Sequence, residues 1–181
     1  LNLSLWYLNW PKLDQLLGGT DIFFLPNINF CAVSEGTKLF VTAHDLSFEA
    51  YPETFSSKQR IWHYLVNPKR LFRRADRIFS VSRSTKDDLE TRYGIRPSKI
   101  EVIPSGIDTR FHEYDRNDPK LVAVKEKYAL PYRFILYLGA FEPRKNIVSI
   151  VRAFSALRKA RHPELEKLSL VLAGVSGWKE D

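Results

Sequence analysis

No methionine occurs in this sequence of 181 residues, and cysteine occurs once, as Cys31. A single thiol excludes an internal disulfide, no Cys/His cluster has the spacing of metal ligands, and a reducing compartment is the expectation. Long apolar runs are also missing: none approaches the roughly 18 to 20 residues of a membrane span. The opening "LNLSLWYLNWPKL" has neither the basic start nor the small-residue cleavage site of a signal peptide. Neither secretion nor a spanning helix is therefore expected. An initiator methionine is not normally trimmed in front of a residue as large as Leu1, and "LSLVLAGVSGWKED" stops just after a strand-like run. The sequence reads as a piece of a longer protein. It lacks a Walker loop, a GxGxxG fingerprint, a GxSxG elbow, internal repeats and low-complexity tracts.

What the chain does have is 44% hydrophobic residues, enough for a real core, and a formal charge of +7. The charge favours polyanionic or phosphorylated partners without separating nucleic acid, anionic membrane and phosphorylated ligand. Short apolar runs alternate with longer helical patterns: "DIFFL" (21–25), "KLFVTA" (38–43), "RIFSVS" (77–82), "KIEVI" (99–103), "FILYLG" (134–139) and "LSLVLAG" (168–174). This is the pattern of an α/β chain with parallel sheets, and near-continuous apolar strands predict cover on both sheet faces. "SRSTKDDLETRYG" predicts a helix with Ser82 or Ser84 as its cap and Gly94 as its stop. A second helix begins near Asn146, and a short one lies around 120–128. Turn formers and charge after Pro104 place a domain boundary near 105–110.

In open α/β sheets ligands sit beyond the carboxyl ends of the strands. Those positions hold His44 and Asp45, Ser82, Ser105 with Gly106, "GAFEPRKN" with Gly139, Arg144 and Lys145, and "GVSG" with Gly174. Cations at a helix start normally cost about 0.3 to 1 kcal/mol each, and an anion between them would reverse that sign. Free helix amides, Gly139 for close backbone approach, and the Arg144–Lys145 pair describe a phosphate or diphosphate site, against the alternative of two solvated loop cations. His44 reads as a general acid/base, a donor to a polar ligand, or a strand-end histidine held by Asp45. Ser82 reads first as a helix cap and Ser105–Gly106 as a turn. The stretch 58–74 interleaves cations with aromatics, which fits an anionic lipid surface, nucleic acid, or a helix packed on a sheet with its cations solvated.

Taken in order, "TDIFFLPNINF", "FVTAHDLSFEAYPE", "RRADRIFSVSRSTKDDL", "YGIRPSKIEVIPSGID", "YLGAFEPRKNIVSIVRAF" and "LVLAGVSGW" resemble the retaining GT-B glycosyltransferases of glycosyltransferase family four. The wording around "HDLSF" and "EPRKN" is most similar to bacterial mannosyltransferase-type members that build O-antigen or other surface polysaccharides. The resemblance implies two Rossmann-like domains across a cleft, both incomplete here. Residues 1–106 would be the later part of the acceptor-side domain, and 107–181 the beginning of the nucleotide-sugar domain. It further implies Lys145 and Arg144 on the donor diphosphate, Gly139 beside them, and His44 facing the transferred sugar as the catalytic residue. Asp45, Ser82, Ser105, Gly106 and Gly174 would line the cleft. Many members carry an arginine where this chain has Ala140, which leaves Arg144 to supply the second cation. The family's spaced glutamate pair and its N-terminal glycine loop lie outside this sequence.

The implied reaction moves a hexosyl group, mannose from GDP-mannose or a sugar from a UDP donor, to a glycan or lipid-linked acceptor. No metal and no cofactor beyond the donor is implied. A cytoplasmic protein, peripheral on the inner face of the membrane and without a nucleic-acid partner, is expected, and the fragment alone is expected to be inactive. The residues leave two other readings open: a non-catalytic α/β module binding nucleotide or nucleic acid, and a GT-B sugar-nucleotide epimerase.

Overall fold

A computed structural model describes residues 7–115, 117–160 and 165–177. The chain divides into two compact units, Leu1–Gly106 and Ile107–Asp181. In the first, α1 (Leu13–Leu16) precedes β1 (Ile22–Leu25) and β2 (Lys38–Ala43). Then follow α2 (Ser47–Ala50), α3 (Ser57–Val66), α4 (Pro68–Arg74), β3 (Arg77–Ser80), α5 (Arg83–Tyr93) and β4 (Ile100–Val102). The second unit holds α6 (Pro119–Lys127), β5 (Arg133–Leu138), α7 (Ile147–Lys159) and β6 (Leu168–Ala173). Each apolar run picked out in the sequence is a strand, and every pairing is parallel: β1-β2-β3-β4 in one sheet, β5-β6 in the other. Parallel neighbours require crossovers, which is why helical segments separate most of the strands.

The first sheet buries one face. On β2, Leu39, Val41 and Ala43 alternate inward; Ile78 on β3 joins them against Leu46, Val66, Leu71, Phe72 and Leu89. The expectation of two covered faces is corrected here. The opposite positions hold Phe24, Phe40 and Phe79, which shield one another edge-on at 5.9–6.0 Å between ring centres, and Phe24 stays 51% exposed. Among the described residues the second sheet has neither face fully covered: Ile135, Leu136 and Leu138 remain exposed, and α7 has no buried residue.

Local chemistry sets the breaks between elements. The basic aromatic stretch forms two helices because Asn67 takes a left-handed conformation, with φ 49°, ending α3 and capping α4 through its side chain to the Arg70 amide at 3.1 Å. Pro68 then suits the first helical position, where its missing N–H is no loss. The start of α3 is a capping box: the Ser56 amide donates to Gln59 Oε1 and the Gln59 amide to Ser56 Oγ. For α5 the cap is Ser82 rather than Ser84, and Gly94 closes it at φ 65°.

Candidate functional site

His44 follows β2 directly and is exposed. Its Nε2 lies 3.0 Å from the Pro26 carbonyl oxygen. A carbonyl only accepts, so Nε2 carries the proton and a neutral His44 presents Nδ1 as its acceptor. Asp45 does not hold the imidazole. Its Oδ1 accepts from the Ser47 amide at 2.9 Å and the Ser47 hydroxyl at 2.6 Å, turning the chain into α2. The His44 backbone is fixed instead by Thr85, whose hydroxyl donates to the His44 carbonyl at 3.1 Å.

With its one proton so used, Thr85 accepts from the Ser82 hydroxyl at 2.9 Å, while Ser82 Oγ accepts from the Thr85 amide at 3.1 Å. Ser82 is thereby a helix cap whose hydroxyl is already spent, and it ties α5 to the end of β2 through Thr85. Thr85, buried at 5% exposure, is the residue that sequence reading missed. Its signal was its place three residues after the cap, where a side chain on the first turn points back at the neighbouring strand end. Ser105 and Gly106 are exposed, and Gly106 has open space where a Cβ would stand, so neither is brought against the residues after β2 and β3.

In the second unit the turns after β5 and β6 lie side by side. The Gly139 amide donates to Ala173 O at 2.9 Å and the Phe141 amide to Val175 O at 3.0 Å, carrying the parallel ladder past the strand ends to a bridge between Phe141 and Ser176. This approach depends on Gly174, since a Cβ there would overlap the Gly139 carbonyl. At Gly139 itself a Cβ would come 3.2 Å from the Tyr137 hydroxyl, which donates to Ala140 O at 3.0 Å. Gly139 and Gly174 are thus brought together as one backbone feature.

Beyond them, residues Pro143–Lys145 form a 3₁₀ turn into α7, with Asn146 left-handed at φ 51° and no side chain capping the helix. Arg144 Nε donates to Glu142 Oε2 at 2.7 Å, and the Glu142 side chain is only 10% exposed. The paired cations of the sequence are therefore unequal: Glu142 offsets Arg144, whereas Lys145 forms no ion pair among the described residues. A cavity of about 460 Å³ adjoins the turn, lined by Phe141, Glu142, Pro143, Asn146 and Ile147 among others. Among the described residues no three His, Cys, Asp or Glu side chains gather as a metal-ligand group.

Elsewhere in the first unit, burial pushes the Cys31 thiol up to about 11, outweighing the opposite pull of Arg74, so this cysteine stays protonated and unreactive.

The sequence profile of Glycosyltransferase Family 4 matches residues 4–111. The serotype-specific mannosyltransferase WbdA of Escherichia coli is 31% identical over 120 residues, 66% of this chain and 15% of that protein. The O-antigen chain mannosyltransferase B of Escherichia coli is 26% identical over 172 residues, 93% of this chain and 41% of the relative. An N-acetylgalactosamine-N,N'-diacetylbacillosaminyl-diphospho-undecaprenol 4-alpha-N-acetylgalactosaminyltransferase of Campylobacter jejuni is 26% identical over 188 residues, 100% of this chain and 46% of the relative. The chain thus spans less than half the length of each of these curated relatives.

Proposed function

The chain belongs to glycosyltransferase family 4, and from that premise we propose that the protein transfers a hexosyl group from a nucleotide sugar to a glycan or lipid-linked acceptor, with retention of anomeric configuration. The relatives named as mannosyltransferases support mannose, and GDP-mannose, as the first donor to test. A diphospho-undecaprenol in the name of the Campylobacter relative supports a lipid-linked acceptor, and with it a cytoplasmic protein peripheral on the membrane. No helix among the described residues is long and apolar enough to cross a membrane.

The observation that carries the reading is Lys145, without an ion pair among the described residues, at the turn into an α7 whose first amides have no side-chain cap. As the glycosidic bond breaks, the departing nucleoside diphosphate gains negative charge, which fixed donors and cations stabilise. One cation about 4 Å from one phosphate charge contributes roughly 4 kcal/mol at an effective dielectric near 20, before desolvation is subtracted. Only the part that grows in the transition state raises the rate. Lys145 and the α7 amides take the diphosphate, with Arg144 recruited when donor phosphate competes with Glu142. His44, its Nε2 proton held by Pro26 O, serves the transferred sugar through Nδ1.

The full protein, given GDP-mannose and acceptor, is expected to release GDP and yield a mannosylated product. Lys145→Ala is expected to lower kcat/KM about 100-fold, the loss typical of one removed charge-stabilising donor. Unchanged kcat and donor KM in that variant would remove Lys145 from the site. Conversion of the sugar nucleotide without a glycosylated product would favour an epimerase.

A further inference from the structure

We propose that the outward face of α3, with the groove beside it, docks the protein on an anionic lipid surface, a phosphate headgroup entering the groove. Between Glu53 and Asp76 the chain carries no acidic residue but has Lys58, Arg60, Lys69, Arg70, Arg73 and Arg74. Part of that charge is already used: Arg73 donates to the Tyr93 carbonyl, and Arg74 meets Asp76 and the carbonyls of Ser34 and Thr37. Lys58 and Arg60 on α3 and Lys69 on α4 are exposed, with Lys69 over the Tyr93 ring at 5.9 Å.

On α3 the positions of Arg60, Ile61 and Tyr64 fall within one arc of roughly 100°, and Ile61 and Tyr64 are 59% and 81% exposed. The opposite side of the helix faces the core through Val66, and the half-buried His63, flanking Arg60, stacks on Phe48 at 4.3 Å. The outward residues are therefore surplus to packing. Beside them lies a groove of about 430 Å³ lined by Arg60, His63, Tyr64, Asn67, Lys69 and Glu49 among others. Glu49 brings one carboxylate to this lining, its Oε1 accepting from the Tyr93 hydroxyl at 2.7 Å, and the two cations Arg60 and Lys69 outnumber it.

Cations flanking exposed aliphatic and aromatic side chains match the boundary between headgroups and acyl chains, where the charge meets phosphate and the apolar groups leave water. A short open groove fits one headgroup; a nucleic-acid strand would require a longer basic track. This inference deepens the peripheral placement proposed above and rests on it, but it does not depend on which sugar is transferred.

The test is cosedimentation of the full protein with phosphatidylcholine vesicles, with and without phosphatidylglycerol, in the absence of any donor or acceptor. Binding is expected only when phosphatidylglycerol is present, and to be lost at high salt. The double substitution Lys58→Ala/Arg60→Ala should weaken it roughly 30-fold, from the usual surface contribution of two cations. Tyr64→Ser should weaken it at the low salt where the wild type binds. Lys125→Ala/Lys127→Ala, on α6, should leave it unchanged, and circular dichroism should show each variant folded. Absence of wild-type binding would overturn both the peripheral placement and this surface. Wild-type binding that survives the α3 substitutions, or falls equally with those on α6, would overturn this surface alone. Tighter binding to a single-stranded oligonucleotide, competing the vesicles away, would replace lipid with nucleic acid. Each of these results leaves the transfer reading to its own assay.

Discussion

Asp14 shows how much one residue can carry without announcing itself. It lies in an ordinary polar stretch of sequence, yet it is 3% exposed and accepts from the Ser34 amide at 2.9 Å and the Thr37 hydroxyl at 3.0 Å. Burial opposes its ionisation, but the hydrogen bonds from Ser34 and Thr37 outweigh that and hold its pKa below the ordinary carboxylate range. With the folded pKa depressed, the unfolded chain binds the proton more readily, so the stabilisation is present above the unfolded value and disappears as pH falls through the folded one. Asp14→Asn is expected to cost about 2 kcal/mol at neutral pH, measured by urea unfolding, with the difference from wild type shrinking in acid. A difference that stays constant between neutral and acidic pH would show that the carboxylate's charge is not what matters. At the candidate site the same logic concerns Glu142: Glu142→Gln removes the charge that offsets Arg144. It should tighten nucleotide diphosphate binding roughly 5-fold, the equivalent of about 1 kcal/mol for one partly exposed pair; weaker binding would mean that Glu142 positions Arg144 for the ligand instead of competing for it.

Elements hold their places here through a few residues with unusual backbone geometry. Gly174 lets the turns after β5 and β6 touch, and a methyl group there would fall on the Gly139 carbonyl. Gly174→Ala is therefore expected to destabilise the β5-β6 ladder by about 3 kcal/mol, at the upper end of ordinary overpacking, with the loss read as faster amide exchange at Phe141 and Gly139. At Gly94, where φ is 65° but nothing lies within 4 Å of the missing Cβ, Gly94→Ala should cost only about 1 kcal/mol from backbone strain. The strands were legible because their apolar runs are short, dense and bounded by turn formers, and α5 was legible because its cap and stop are local. Asn67 was harder to read: an asparagine among cations does not reveal that it will go left-handed and split α3 from α4. Pairings between nearby side chains were also hidden. Asp45 accepts from Ser47 and Glu142 from Arg144, each partner two residues along the chain.

At the scale of the whole molecule the two units differ in how much they bury. Val41, Ile78, Phe72, Leu71, Val66 and Leu89 in the first unit are each at 0% exposure. In the second, α6, β5 and α7 contain no buried residue, and Leu138 is 77% exposed. Hydrophobic stabilisation scales with apolar area removed from water, at roughly 25 cal/mol per Å², so within these 181 residues cooperative stability concentrates in the first unit. A two-stranded sheet with two helices, neither holding a buried residue, has little to offset the entropy of ordering its backbone. Hydrogen exchange on these 181 residues is expected to show this as two classes of amide. Those of β2 and β3 should open only with global unfolding, whereas those of β5, β6 and α7 should exchange at least about 100-fold faster through local opening. A nucleoside diphosphate bound at the turn before α7 should slow the second class and leave the first unchanged, because ligand stabilises the unit that holds it. Equal protection throughout the chain would mean that the second unit draws stability from contacts beyond its own elements. Slowing confined to β2 and β3 would place the diphosphate in the first unit and remove Lys145 from its site.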